Sequence, residues 1–267
     1  MRKTVFLALL ALLAQGCSTV PITGRRQLSL VSDKEVLASS LTEYKSYMGT
    51  AKVSGNKVQS AQVTRVGRNI ASATESFLRS NGLEKEVKNF AWEFNLVEDK
   101  QVNAFCMPGG KIVVYTGLME LVSSDDELAV VLGHEVAHAV AKHSNERLSQ
   151  QVLASAGAVA AAGAVAAAGG SASTGNAAAS VFGLGAQVGV MLPFSRKHES
   201  EADYMGLALM TMAGYNPDAA VGFWQKMAAQ GGSSTPAILS SHPSDATRIA
   251  DIQKALPEIK AKFSPKK

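Results

Sequence analysis

The stretch His134-Glu135-Val136-Ala137-His138 is the most informative part of the sequence, because it combines two imidazoles and a carboxylate at the spacing of one helix face. Four residues correspond to about 40° around an α-helix, so both imidazoles can face one metal ion. Glu135 stands beside them, within reach of a water molecule on that ion. Zn²⁺ would lower the pKa of such a water from about 15.7 to about 7. The pattern therefore predicts a zinc site at which Glu135 moves protons during attack on a peptide carbonyl.

The residues around this motif argue against the alternative, which is a chance match on a helix surface. The segment Ser124–Glu127 has the spacing of a capping box, and a helix is predicted from there through Leu148. Its flanks are apolar, so the helix should be buried, and a buried Glu beside two His is costly unless something pairs with it. A metal ion removes that cost. The apolar flanks consist of Leu128, Val130, Val131, Leu132, Val136 and Ala137.

A third protein ligand has to come from elsewhere, since catalytic zinc typically has three. His143 follows the second imidazole by five residues, about 140° further around a continuous helix, and is predicted to point away. Glu199 and Asp203 are four residues apart on one predicted helix face, so Glu199 can bind the metal while Asp203 steadies a neighbouring group. His198 and Glu201 are predicted to lie on a solvated polar face.

The first residues have the pattern of an export signal. Arg2 and Lys3 precede the apolar run Val5–Ala14, which is short for a membrane span and suits a signal peptide. Small residues then lead to Cys17 in a segment that resembles a bacterial lipobox. We predict a lipoprotein signal peptide at residues 1–16 and membrane attachment through a lipid on Cys17. The alternative is a cleaved secretory signal with an incidental Cys.

Composition sets the remaining limits. Removing residues 1–16 takes away two basic residues, which lowers the formal charge from +4 to +2 and leaves 251 of the 267 residues. Such a balance gives no reason to expect a nucleic-acid partner. If Cys17 carries lipid, Cys106 has no intramolecular partner, so no disulfide is predicted. The length suits a tether or peripheral wrap at residues 17–31 and a single zinc metallopeptidase domain at 32–267.

The secondary-structure pattern is α+β, mostly helical with a small β-sheet beside the active-site helix. Amphipathic spacing and capping signals predict helices at about 32–48, 57–80, 196–213, 217–230 and 244–255. Alternating apolar residues at 90–96 and the β-rich run Lys111–Tyr115 predict two paired strands. Residues 152–189 form an Ala/Gly-rich insert. This insert is interpreted as a helical connector or an active-site cover, and insertion into a membrane is the alternative.

Four segments between residues 95 and 255 carry a family pattern. They are Val102–Gly110 with Thr116–Leu118, Glu127–His143, Ser195–Gly206, and Ser241–Pro243 with Arg248. In this order and spacing they resemble the CAAX-prenyl-protease-type zinc metallopeptidases, whose bacterial members include HtpX, BepA and LoiP. The compact lipoprotein member LoiP is the nearest in kind, because no helical repeat follows the fourth segment.

The resemblance implies a gluzincin-like metallopeptidase core. One Zn²⁺ per chain would be held by His134, His138 and Glu199, with Glu135 as the catalytic base. His242 matches a residue that can approach the metal in periplasmic relatives, either at its open position or as an aid to the oxyanion.

The resemblance also implies a place for the substrate. The strand near Lys111–Tyr115 would border the cleft, where an extended peptide could pair with it. The expected activity is endopeptidase cleavage of unfolded or misassembled envelope proteins on the periplasmic face of a membrane. Ser18 after the lipidated Cys favours the outer membrane under the sorting rule of enteric bacteria. The alternative is a metal-holding periplasmic chaperone or assembly factor that does not cut its clients, although such a protein would not need Glu135.

Overall fold

The computed structural model describes residues 17–174, 176, 180, 192–230, 238 and 247–265. Within them the fold is α+β and mostly helical, which confirms the predicted class. The strands are β1 (Cys17–Thr19), β2 (Arg26–Leu28), β3 (Glu93–Val97), β4 (Ala104–Met107) and β5 (Lys111–Tyr115). The helices are α1 (Asp33–Thr50), α2 (Lys57–Ser80), α3 (Glu84–Val87), α4 (Thr116–Met119), α5 (Asp125–Val140), α6 (His143–Ala167), α7 (Leu192–Met212), α8 (Ala219–Ala229) and α9 (Arg248–Phe263).

Polar residues fix the starts of the helices that frame the site. The Ser32 hydroxyl accepts a hydrogen bond from the Glu35 backbone N–H, and the Glu35 carboxylate accepts one from Ser32, which completes a capping box at α1. Ser124 caps α5 by accepting from the Glu127 backbone N–H. Both starts were predicted from the spacing of these residues, because a side-chain oxygen satisfies a backbone N–H that the helix cannot.

The three-stranded sheet has the order β3-β5-β4, with β3 parallel to β5 and β4 antiparallel to it. The pairing of β3 with β5 was predicted, whereas β4 was missed. Lys111–Tyr115 is therefore the central strand, and both of its edges are already paired. The expectation that an extended peptide could pair with this strand is wrong, because strands already occupy both of its sides, and the edge strand beside α5 is β4.

Helix α5 is buried along almost its whole length and crosses α7 at close range. A Cβ built on Gly133 would lie 2.7 Å from the Gly206 carbonyl oxygen, and one built on Gly206 would lie 2.7 Å from the His134 backbone nitrogen. The two glycines therefore let the backbones touch. This contact brings side chains of α7 level with the two imidazoles of α5.

The long helix predicted from residue 124 through 148 is broken. Lys142 has φ 57° and ψ 38°, so the chain turns between the end of α5 and the start of α6. Lys142 holds this turn with ion pairs to Asp33 and Glu86, both at 2.7 Å. A left-handed Lys carries no distinctive sequence signal, which explains why the break was not predicted.

Helix α6 leaves the body of the protein. Its first turns are buried, but Val152 is 51% exposed and Val159 is 74% exposed. Among the described residues, α6 is the helix whose length and apolarity would suffice to cross a membrane. Residues 17–31, predicted to be a tether or a wrap, form a β1–β2 hairpin that packs on the molecule with Val20 buried.

Candidate metal centre

Three predicted ligands meet between α5 and α7. The Nε2 atoms of His134 and His138 lie 3.1 Å apart. One carboxylate oxygen of Glu199 lies 3.2 Å from Nε2 of His134, and the other lies 3.4 Å from Nε2 of His138. All three residues place a ligand atom within 4.8 Å of the others. Ligands on tetrahedral zinc sit about 2.0–2.2 Å from the ion, so donor atoms separated by slightly more than 3 Å fit such an ion.

The charges around these atoms favour a cation. Burial lowers the pKa of His134, but hydrogen bonds to Asp203 and Glu199 outweigh it and raise that pKa to about 9. Burial holds the pKa of His138 well below its usual value, so this imidazole is neutral and can act as a ligand. Two carboxylates facing one imidazole therefore attract either a proton or a metal. The donor set of two imidazoles and one carboxylate is that of catalytic zinc sites.

A second layer of side chains holds His134 in orientation. Its Nδ1 lies 2.9 Å from an oxygen of Asp203. Arg248 donates to both oxygens of Asp203, at 2.8 and 2.7 Å, and its guanidinium lies over the Trp224 ring at 3.5 Å. The predicted role of Asp203 thus has a geometric basis, because a carboxylate on Nδ1 leaves Nε2 available for metal.

Replacing Asp203 by Asn is expected to weaken zinc binding by about 10- to 100-fold, the usual effect of losing an outer-shell partner of a metal-binding His. The change removes the charge that orients His134 and pairs with Arg248. Competition with a chromophoric chelator measures the dissociation constant. Asp218→Asn is the matched control, because Asp218 pairs with Lys260 on the surface. Equal zinc affinities in the two variants would exclude the orienting role.

Glu135 follows the ligand His134 on α5, and its carboxylate contacts the sheet. Its side chain is buried, and its Oε2 accepts a hydrogen bond of 3.2 Å from the Cys106 backbone N–H. Cys106 is in β4, so the carboxylate lies at the outer edge of the sheet. This edge strand was missed because Ala104–Met107 is four residues long and follows no alternating pattern.

Three residues that the sequence places on solvated or distant faces are buried near the metal ligands: His143, His198 and Glu201. Glu146, for which the sequence made no prediction, is buried beside them. The predicted solvated face for His198 and Glu201 is therefore wrong. His143 does not point away either, because the break at Lys142 returns its Nδ1 to 2.8 Å from Nδ1 of His138. Two His/Glu pairs at helical spacing i, i+3, one on α6 and one on α7, were the available signal.

The Glu146 carboxylate should contribute to acid sensitivity. Burial raises its pKa, but hydrogen bonds from His198 and Arg25 lower that pKa to about 2. Its folded pKa is below the unfolded value, so its stabilisation is present above about pH 4.5 and is lost as the pH falls towards 2. Urea midpoints between pH 7 and pH 3 should therefore fall less steeply at the acid end in Glu146→Gln. An unchanged slope would contradict this assignment.

His242 lies outside the described residues, so its predicted approach to the metal stays a prediction. The three predicted ligands His134, His138 and Glu199 lie close together, and the role of Glu135 as the catalytic base stays a prediction.

Comparison with known proteins gives the family. The profile described as Peptidase family M48 matches residues 61–256. The mitochondrial metalloendopeptidase OMA1 of Schizosaccharomyces pombe is 34% identical over 91% of this chain and 67% of its own length. The OMA1 of Arabidopsis thaliana is 38% identical over 64% of this chain and 33% of its own. The beta-barrel assembly-enhancing protease of Yersinia pestis is 33% identical over 63% of this chain and 35% of its own.

The coverage limits what these relatives say. This chain matches about two thirds of the fission-yeast protein but only about a third of the other two. The shared part contains both helices that carry the metal ligands, since the family match spans α5 and α7. The chain therefore belongs to Peptidase family M48, a family of zinc metallopeptidases.

Proposed function

We propose that this chain is a zinc-dependent endopeptidase that cleaves unfolded or misassembled envelope polypeptides. The observation that carries the proposal is the cluster of His134, His138 and Glu199, together with Glu135, which follows His134 on α5 and accepts a hydrogen bond from the edge strand β4. We expect a carboxylate in that position to reach both a metal-bound water and a peptide bound along β4. A protein that only binds metal does not require the Glu135 carboxylate.

Each residue of the site has a separate proposed role in peptide-bond hydrolysis. When bound, zinc supplies a Lewis acid for the peptide carbonyl and lowers the pKa of water. Glu135 takes the proton from the attacking water and hands it to the departing amine. Asp203 keeps the Nε2 atom of His134 directed at the ligand cluster. His242 is proposed to assist the oxyanion or to gate the open position.

The substrate is proposed to bind as an added strand on β4. The Cys106 backbone N–H donates to Glu135 rather than to β5, so this side of β4 faces α5, where we place the substrate cleft. Main-chain pairing recognises any extended segment, whereas a folded domain cannot supply one. The preference for unfolded clients follows from that geometry.

The cellular place is proposed from the first residues. Residues 1–16 act as a lipoprotein signal peptide, and a lipid on Cys17 attaches the chain to a membrane on its periplasmic face, with Ser18 favouring the outer membrane. Support comes from the Yersinia pestis relative named a beta-barrel assembly-enhancing protease. The OMA1 relatives are named as mitochondrial proteins, and the proposed export signal at Arg2–Ala14 would place this chain elsewhere.

The Ala/Gly-rich insert at 152–189 is proposed to restrict access to the site. Shortening it to a Gly/Ser link while keeping α6 through Gln151 should raise cleavage of casein, because an unfolded chain needs more room than a short peptide. Cleavage of a short fluorogenic peptide should rise less and serves as the internal control. Equal or lower casein cleavage would contradict the role of the insert as a cover. Binding of the intact chain to vesicles through the insert would favour membrane insertion instead.

The proposed function is tested with the full chain purified in mild detergent. Casein cleavage should disappear after chelation and return when about one zinc per chain is restored. A chain that binds zinc and unfolded casein without cutting it would instead be the metal-holding chaperone. Absence of zinc binding would exclude both functions.

A further inference from the structure

The N-terminal hairpin places one cation inside the molecule, next to the metal centre. Arg25 lies in the turn between β1 and β2, and its side chain is only 14% exposed. The turn is closed by hydrogen bonds from Val20 N–H to the Arg25 carbonyl and from Gly24 N–H to the Val20 carbonyl, at 2.8 and 3.0 Å. Gly24 takes φ 69°, a conformation that favours glycine. The chain thus turns so that Arg25 enters between α6 and α7.

Arg25 there binds two buried carboxylates from different helices. Its Nη1 and Nη2 donate to the two oxygens of Glu146 on α6, at 3.0 and 2.7 Å. Its Nε donates to Oε2 of Glu201 on α7, at 2.7 Å. The Thr23 hydroxyl also donates to Glu201, on Oε1 at 2.5 Å. Two buried carboxylates need such a cation, because an uncompensated buried charge is strongly destabilising.

From Glu201 a chain of hydrogen bonds reaches a metal ligand. Oε2 of Glu201 lies 3.1 Å from Nε2 of His143. Nδ1 of His143 lies 2.8 Å from Nδ1 of His138. A carboxylate can only accept, so His143 carries its proton on Nε2 and accepts on Nδ1. His138 must then donate from Nδ1, so its Nε2 carries the lone pair that a metal ion requires.

A parallel arm supports the other helix of the site. Oε2 of Glu146 lies 2.9 Å from Nε2 of His198, the residue before the ligand Glu199. The rings of His198 and His143 stack with their centroids 4.3 Å apart. Arg25 therefore holds both arms at their carboxylate ends.

We propose that Arg25 is a positioning residue for the metal centre, which fixes the tautomer and orientation of His138 through Glu201 and His143. This inference rests on the zinc site of the proposed function. It gives the hairpin a role: the segment that begins at Cys17, the proposed lipid site, completes the support of a metal ligand. Detaching the hairpin from α6 and α7 would therefore disorder the His138 side chain through Glu201 and His143, without any change to His138 itself.

The test compares zinc affinity with the stability of the metal-free protein, using the full chain. Arg25→Ala is expected to weaken zinc binding by about 10- to 100-fold, the range for outer-shell partners of a metal-binding His. Arg26→Ala is the matched control, because this neighbouring arginine is exposed; its zinc affinity should stay unchanged. Arg25→Lys should restore part of the affinity, since an ammonium can pair with one carboxylate.

A double-mutant cycle separates positioning from general support of the fold. The loss of zinc affinity in Arg25→Ala combined with His143→Leu should be smaller than the product of the two single losses, because both act on His138 through one chain. If Arg25→Ala does not fold, Thr23→Val removes only one hydrogen bond to Glu201 and should weaken zinc binding in the same direction.

Two results would overturn the inference. One is a metal-free Arg25→Ala protein that melts at a lower temperature but binds zinc as tightly as the Arg26→Ala control does. The other is multiplication of the two single losses in the cycle. The unmodified chain distinguishes failure of this inference from failure of the proposed function. If it binds zinc and cleaves casein while these variants bind zinc equally well, only the inference fails. If it binds no zinc, both fail.

Discussion

Replacing Glu135 by Gln should reduce casein cleavage by about 10²- to 10⁴-fold, the contribution of a positioned acid–base group, while zinc stays bound. Gln has nearly the same shape as Glu, and its carbonyl oxygen can still accept from the Cys106 backbone N–H. It cannot take a proton from water. Fold and ligands should therefore persist while the proton transfer is lost. Initial rates of casein cleavage and zinc content per chain are measured on the same preparation.

The control for this change is Glu127→Gln on the same helix. Glu127 lies at the start of α5 and pairs with Lys226 at 2.7 Å, away from the metal ligands. Its variant should keep nearly full cleavage. Cleavage retained in Glu135→Gln would show that another group acts as the base. Loss of zinc in that variant would mean that Glu135 supports the ligand cluster rather than the chemistry.

The sequence allowed the metal ligands to be predicted because their geometry is local. His134, Glu135 and His138 lie within two turns of one helix, so their mutual placement follows from helical spacing alone. The roles of Glu199 and Asp203 could be predicted from their four-residue spacing on a second helix and from the three protein ligands that catalytic zinc typically has. The family resemblance then joined the two helices, and the structure brings these residues together.

The supporting network could not be predicted in the same way, because it depends on one backbone conformation. A straight helix would carry His143 away from the metal, and the left-handed Lys142 reverses that direction. Arg25 is 121 residues from Glu146 and 176 from Glu201, so no local pattern connects them. Only the packing of the hairpin on α6 and α7 shows that they form one cluster.

The edge strand shows the same limit. Lys111–Tyr115 is the more apolar run and was correctly predicted as a strand, but apolarity indicates burial, and a fully buried strand is central rather than accessible. The sheet edge that contacts Glu135 belongs to the less conspicuous β4. Position in a sheet depends on pairing order, which a pattern of single residues does not specify.

Replacing Gly206 by Ala should damage both the fold and the metal centre. The added Cβ would lie 2.7 Å from the His134 backbone nitrogen and 2.9 Å from the Gly133 carbonyl carbon. These are backbone atoms of a buried helix and cannot rotate aside, so α5 and α7 must separate. We expect a loss of about 1–3 kcal/mol in the free energy of unfolding, as for other overpacked cores. Urea denaturation measures this loss.

The same separation should pull Glu199 and Asp203 away from the imidazoles of His134 and His138, because the ligands come from the two helices that are forced apart. A displacement of about 1 Å can cost about 10²-fold in activity, so casein cleavage should fall by that order and zinc affinity should fall with it. Gly222→Ala provides the control: a Cβ on Gly222 meets nothing within 4 Å. Ala favours a helix over Gly by about 1 kcal/mol, so that variant should be as stable as the original chain or more so. If Gly206→Ala matched it in stability and zinc affinity, close contact between α5 and α7 would not be what assembles the metal centre.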